Sequence, residues 1–376
     1  MLSVVSTGTL LPQYIVICVR VSIFLLFLRF CRIIIREYKQ CKKTKIEEER
    51  MYANRKDLYG RLEDMRGSKV ICFVTGDKPG METQIHSDVF DYFVNHLDII
   101  GVVPKISLFI YTRGGDTLTA WSLINLIRQF CDELEVIIPS KCHSSGTIMS
   151  LGANSIIMTK QATLGPIDPS ITTPLNPSAF INGQEIKLPV SVEDIKGYLA
   201  LATEELKISD AASLSQLLLS LGEKVHPLVL GKVYRSKSQI QMLATKLLSH
   251  QIKDPEKIVN IVNFLCSDSG SHDYTISRRE AENELGLNIE KPGSELYSLI
   301  KEIYEDIKSE LRLGEPFNPS AFLGQDQEAT FSLPRAIVEA KESCSYQFRT
   351  EGIVRDVGHL SIQHNITSEG WGKYEQ

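Results

Sequence analysis

The chain lacks most of the signatures that would assign it at a glance. Its 376 residues include eight cysteines, Cys18, Cys31, Cys41, Cys72, Cys131, Cys142, Cys266 and Cys344, yet no CxxC pair. Those spacings suggest neither a zinc site nor a disulfide framework, and idle thiols in a reducing compartment are the simplest reading. No metal site can be assembled from the sequence. No GxxxxGK[ST] phosphate loop is present, so no nucleotide cofactor is expected and any ATP-driven unfolding would need another protein. There is no internal repeat. Nor is there an excess of positive charge: 41 Lys and Arg stand against 46 Asp and Glu, a net −5, which argues against nucleic acid as a partner. At 43% hydrophobic and 23% charged, the composition excludes a disordered chain, a collagen-like chain and a polytopic membrane protein.

The charge that exists is unevenly placed. Residues 1–50 hold nine Lys and Arg against four Glu, which leaves about −10 for the remainder. Within that leader an apolar stretch over residues 14–35 is about long enough to cross a bilayer. It contains Arg20, Arg29 and Arg32, and an arginine near the centre of a span is expensive. A secretory signal would place its positive charge before the apolar run, and here the order is reversed. Three readings stay open: a single anchor, an amphipathic interfacial helix, or an extension upstream of a start at Met51. If the segment spans, the basic cluster after it holds the adjoining domain on the cytoplasmic side. The body is expected to be cytoplasmic.

Beyond a charged helical connector over 46–66, strand and helix signals alternate. Val70–Thr75 (VICFVT) and Ile106–Thr112 (ISLFIYT) read as buried strands, with further strands at Glu135–Pro139 and Ser155–Thr159. Between them, 86–97 and 118–130 have helical spacing. Strands separated by helices predict a parallel sheet in an α/β core. Residues 164–177 carry four prolines and are expected to be irregular. Helices are predicted at 194–221, 232–248, 255–266, 277–286 and 294–311. Residues 343–354 alternate in strand fashion, and the tail after Gly358 is expected to be loosely ordered. The predicted organisation is a leader (1–50), a core (51–255), a helical extension (256–313) and a carboxyl-terminal β-containing segment with its tail (314–376).

Two segments carry chemistry. Tyr111-Thr112-Arg113-Gly114-Gly115-Asp116 is a strand-to-helix turn whose paired glycines let backbone N–H groups face open space and hold an anion. By itself it reads first as a plain tight turn. Lys141-Cys142-His143-Ser144-Ser145-Gly146-Thr147 also comes after a strand and opens a helix. A serine there is either an ordinary helix cap or a hydroxyl set beside a free N–H. Consecutive parallel strands place their carboxyl ends side by side, so Gly114, Gly115 and Ser144 are predicted to share one cleft. A nucleophile beside an oxyanion hole is the minimum set for acyl transfer.

The runs YTRGGDTLTAW, IIPSKCHSSGTIMSLGANSIIM and TLGPIDPSI resemble the serine proteases of the ClpP and crotonase superfamily. Within it they are similar to the branch related to signal peptide peptidase A called the serine dehydrogenase proteinase family. HPLVLGKVYRS and GSHDYTISRREAENELGL extend the resemblance, which covers roughly residues 68–290. It implies a spiralled parallel sheet with helical additions, a peptide substrate, no cofactor and a homo-oligomer. It also implies that Ser144 is the nucleophile, with Ser145 as the second oxyanion N–H and the alternative nucleophile. Gly114 and Gly115 would complete the hole. The histidine that ClpP-type relatives carry some way after the serine is absent, so the resemblance points to a lysine base, as in signal peptide peptidases. Lys187 and Lys196 lie in the right region, although aligning VEDIKGYL with the lysine-bearing helix of such relatives puts Asp194 at the lysine position. Asp168 and His272 are candidate supporting residues, each with an equally simple structural role in a turn or cap. Two other classes remain: a crotonase-like acyl-CoA enzyme, and an inactive homologue serving as scaffold or adaptor.

Overall fold

The computed structural model describes residues 52–181, 183–268, 271, 273–324, 326–358 and 361–374. Residues Met1–Asn54 with Gln376 form one compact unit and Arg55–Glu375 another, the body of the protein. The first lies almost wholly outside the described residues, as do the apolar segment 14–35 and His272. Among the described residues no helix is long and apolar enough to cross a membrane.

An eight-stranded mixed sheet organises the body. Its parallel half contains β1 (Lys69–Thr75), β2 (Val103–Tyr111), β3 (Cys131–Ile138), β5 (Ser155–Met158) and β12 (Ile289–Glu290). β1, β5 and the second half of β2 are near-continuous apolar runs, as burial on both faces requires. On the other side of β1 the sheet continues antiparallel through β13 (Glu328–Ala340), β14 (Ser345–Asp356) and β15 (Ile362–Tyr374). The tail after Gly358 is therefore a strand, which differs from the loose ordering expected of it. Trp371 of β15 packs its ring against Tyr92 and Phe348, contacts its polar neighbours do not announce.

Alternate residues of each strand face opposite ways. Ile71, Phe73, Leu108, Ile110, Val136 and Ile138 join one core with α2 (Phe90–Ile100), α3 (Thr117–Ile127) and α4 (Ser145–Leu151). Helices α7 (Pro227–Leu248) and α8 (Pro255–Asn263) add Leu247 and Ile261 to it. The opposite face holds polar ties to the helix over residues 55–66, α1, where Arg66 binds Glu135 through two nitrogens. Helix α10 (Ser294–Leu311) joins the same side through Asp306 and Glu310, which pair with Arg55.

Smaller elements frame the carboxyl edge of the parallel strands. Strands β4 (Lys141–Cys142), β6 (Thr163–Leu164) and β11 (Ile276–Ser277) make a three-stranded sheet, and β7 (Ser170–Ile171) pairs with β10 (Val190–Ser191). A hairpin of β8 (Ser178–Ile181) and β9 (Gln184–Lys187) lies between those two strands along the chain. Helices α5 (Val192–Ala200), α6 (Ala211–Lys224), α9 (Arg278–Asn283) and the single turn α11 (Ser320–Leu323) complete the body.

His96, on α2, is fully buried, with Nε2 on the Val338 carbonyl at 3.1 Å. Burial pushes its imidazole down to about 4 from an ordinary value of 6.5. The folded state thus holds this histidine neutral while the unfolded chain protonates it, so stability falls as pH drops from about 6.5 to about 4. The expected loss is about 3 kcal/mol. Denaturant melts across that range should show the loss in the wild type and a flatter profile in His96→Gln.

Candidate active site

The cleft is built by one backbone bridge. Thr112 comes directly after β2 and pairs in parallel with Cys142 of β4: Thr112 N–H donates to the Lys141 carbonyl (3.0 Å), and His143 N–H donates to the Thr112 carbonyl (3.0 Å). This pairing places the glycine turn against the serine turn. A β-carbon added at Gly114 would lie 2.7 Å from Ser144 Cβ and 3.1 Å from Ser144 Oγ, so no other residue fits.

The two serines differ sharply. Ser144 sits at φ 53°, ψ −116°, a left-handed conformation that a residue with a β-carbon adopts at a cost of about 1–3 kcal/mol. It precedes the first residue of α4 but does not cap that helix, and its Oγ makes no hydrogen bond to any described residue. Ser144 is half-buried and reachable from the cleft. Ser145, by contrast, is fully buried, and its Oγ donates to the Gly115 carbonyl at 2.6 Å.

The glycines also differ. Gly114 N–H donates to Thr112 Oγ1 (3.0 Å), whose hydroxyl is shared with Thr75 Oγ1 (2.7 Å). Gly114 was expected to contribute to the anion hole, but its donor is already taken; it supplies space. The Gly114 carbonyl accepts from Ile85 N–H (2.8 Å), and because the peptide is trans, the N–H of Gly115 points away from Ile85. No described residue accepts that N–H. The Ser145 N–H, at the start of α4, is likewise unaccepted among the described residues, as expected at a helix amino terminus. An unpartnered hydroxyl and two unaccepted amides therefore lie on the two turns that the Thr112–Cys142 bridge sets side by side.

The surrounding charges are fixed. Asp77, two residues after β1, accepts from Lys141 Nζ (2.6 Å), Tyr111 Oη (2.7 Å) and Gly314 N–H (2.9 Å). Burial would raise this carboxyl, but the Lys141 and Tyr111 hydrogen bonds outweigh it and hold it below the usual range. Burial and then Asp77 push the Tyr111 phenol far up. Lys141, three residues before Ser144, is thus committed to an ion pair. His143 turns its ring to Thr163 Oγ1 (2.8 Å). Cys142 is fully buried, and burial raises its thiol to about 12, so it stays a thiol. Among the described residues no cluster of three or more metal-ligating side chains is assembled.

No hydrogen bond joins either predicted base to the serine. Lys187, on β9, pairs with Glu185 Oε1 at 3.2 Å. Lys196 is half-buried on α5. Asp168 is buried in the proline-rich segment after β6. Two groups at the site carry no local sequence signal, the strap over residues 76–85 and the Asp77–Lys141 pair, because their partners are far along the chain.

A family model described as ClpP-like SDH-type serine proteinase matches residues 18–210. The chain belongs to the ClpP-like SDH-type serine proteinases. The match covers the glycine turn, the serine turn, Asp168 and both lysines. Two curated relatives, uncharacterised proteins of Methanocaldococcus jannaschii, are 27% and 29% identical. The first alignment covers 56% of this chain and 63% of the relative, less than two thirds of its length; the second covers 63% and 73%. Similar solved structures include two of the 1510-N membrane-bound stomatin-specific protease, both 17% identical. A serine-to-alanine mutant has a TM-score of 0.33, covering 64% of this chain and 85% of that one. A lysine-to-alanine mutant in complex with a substrate peptide has a TM-score of 0.25, covering 63% and 99%.

Proposed function

We propose that this family member is a serine peptidase that uses Ser144 as nucleophile and the Gly115 and Ser145 N–H groups as its oxyanion hole. The observation that carries the reading is the close packing of the Gly114–Gly115 turn on Ser144, which puts an unpartnered hydroxyl beside a turn with an unaccepted amide. Ser144 Oγ attacks the carbonyl carbon of an extended peptide as its proton passes to a neutral lysine amine. The carbonyl oxygen becomes an anion held by the two amides, which need no reorganisation as the charge develops. Collapse expels the amine, which takes the proton back from the lysine, and water then hydrolyses the acyl-enzyme. The buried hydrogen bond of Ser145 Oγ speaks against it as nucleophile and for a role in fixing the Gly115 carbonyl.

Lys187 and Lys196 are the candidate bases, and Lys187 is favoured. Asn176 Nδ2 donates to both the Ile171 (2.6 Å) and Leu188 (2.8 Å) carbonyls, tying the base of the Lys187 hairpin to the segment that leaves the site. Catalytic hydrogen bonds are often open without substrate, and a bound peptide would draw this hairpin inward. The pairing of Lys187 with Glu185, in place of any hydrogen bond to Ser144, favours a second reading, an inactive homologue that binds peptides without cutting them. Membrane attachment through residues 14–35 and assembly into a homo-oligomer belong to the proposal. Fractionation and sedimentation of the full chain test them.

The deciding experiment is labelling with a fluorophosphonate. Wild type and Ser145→Ala should label, the latter on the order of tenfold more slowly for loss of one supporting hydrogen bond. Ser144→Ala should not label at all. No labelling of the wild type would leave the inactive homologue, and labelling lost only in Ser145→Ala would move the nucleophile by one residue. The pH profiles of Lys187→Ala and Lys196→Ala then identify the base, since only its removal abolishes the rise in rate with pH.

A further inference from the structure

The amide that would hold the oxyanion is oriented from far along the chain. Ile85 clamps the Gly114–Gly115 turn on both sides, donating to the Gly114 carbonyl (2.8 Å) and accepting from Asp116 N–H (2.7 Å). The strap that ends in Ile85 has little secondary structure of its own, so something else must fix it. That element is Arg335, at an irregularity in β13 where the register to β14 shifts between Pro334 and Ala336. Its guanidinium donates through Nε to the Met81 carbonyl (2.8 Å) and through a terminal nitrogen to the Glu82 carbonyl. The backbone carbonyl of Arg335 accepts from Gly76 N–H (2.7 Å) and Thr83 Oγ1 (2.9 Å). The strap is therefore gripped at four residues by one. The other guanidinium nitrogen reaches Thr350 Oγ1 (2.8 Å) and Glu369 Oε1 (2.6 Å), so the arginine itself is anchored to β14 and β15.

From this geometry we infer that Arg335 is a positioning residue for the reaction, acting through Ile85 on the direction of the Gly115 N–H. The inference rests on the peptidase reading above for its catalytic consequence. Loss of the guanidinium frees the Met81 and Glu82 carbonyls, lets the strap sag from the turn, and leaves the Gly115 amide without a fixed direction. Substrate contacts and Ser144 are untouched, so the maximal acylation rate falls while the concentration giving half-maximal rate does not. A cavity of about 280 Å³ opens beside the guanidinium, lined among others by Glu82, Gln84, Glu369 and Trp371. It gives a small cation access to the place the side chain would vacate.

The test measures fluorophosphonate labelling of the full chain as a function of probe concentration, together with amide hydrogen exchange. Arg335→Ala should lower the limiting labelling rate by tenfold or more with the half-saturating concentration within twofold of wild type. Added guanidinium should restore part of the rate. Arg335→Lys, which can reach one carbonyl only, should fall between. Glu369→Gln, which keeps the strap bonds, should label within twofold of wild type. Exchange at residues 82–85 and 114–116 should speed up in Arg335→Ala, whether or not the protein labels. Unchanged exchange there overturns the inference, as does a wild-type labelling rate in Arg335→Ala. If the wild type fails to label, the peptidase reading falls; faster exchange in Arg335→Ala would then still support the mechanical link. If Arg335→Ala does not fold, Arg335→Lys carries the same comparison, and a rate equal to wild type with unchanged exchange overturns the inference.

Discussion

Gly115→Ala is expected to lower the labelling of Ser144 at least about a hundredfold while leaving the body folded, the scale of losing one oxyanion donor. The backbone at Gly115 has φ 149°, and an added β-carbon would stand 2.3 Å from the Ile85 carbonyl oxygen and 2.4 Å from its nitrogen. Both are backbone atoms, so no side-chain rotation relieves the clash. The strap must move off the turn, and with it goes the hydrogen bond that fixes the Gly114–Gly115 peptide. Because the defect is at the rim of the sheet, circular dichroism should match the wild type. Gly231→Ala is the control: it lies in the second turn of α7 with nothing within 4 Å of the added carbon. Alanine in an open helical position stabilises by roughly 0.5–1 kcal/mol, so this variant should label normally and melt slightly higher. Normal labelling by Gly115→Ala would remove the Gly115 amide from the mechanism.

What could be read from the residues was whatever is encoded locally. The runs Val70–Thr75 and Ile106–Thr112 announced β1 and β2 because a strand covered on both faces has no room for polar alternation. The meeting of the glycine and serine turns came from parallel order, and the Thr112–Cys142 bridge is its physical form. The β3 strand starts earlier than expected, at Cys131, because its exposed Asp132 and Glu133 look like loop. Its Glu135, fully buried, is held by Arg66 and Lys105 from other elements. The strand β15 is exposed along most of its length and has no apolar face, so only its pairing with β14 defines it. The strap is the largest omission: Ile85 contacts a turn 29 residues later, and its anchor at Arg335 lies 250 residues away in β13. Nothing in a local pattern encodes such contacts. The base stayed open for a similar reason, since a lysine is catalytic only by where tertiary structure puts it.

Arg55→Met should be the most destabilising single change on the sheet face opposite the cleft. Arg55 has no solvent exposure and binds Glu339 through two nitrogens (2.9 and 2.7 Å), Glu310 (2.6 Å) and Asp306 (2.5 Å). Glu339 is itself fully buried and accepts further bonds from Tyr59 Oη and Ser345 Oγ, both 2.7 Å. Burial alone would raise its carboxyl, but the Arg55 charge together with the hydrogen bonds from Arg55, Tyr59 and Ser345 outweighs burial and holds it below the ordinary value. Removing the guanidinium leaves that carboxylate buried without its counter-charge, which costs about 3–5 kcal/mol. For a body of this size the melting temperature should fall on the order of 10 °C. The loss comes from stranded charge more than from a missing attraction, and that distinction can be measured. Adding Glu339→Gln to Arg55→Met removes the stranded carboxylate, so the double variant should melt above Arg55→Met even though it has lost one more native group. If it melts lower, packing around Arg55, and not its charge, is what ties α1 and α10 to β13.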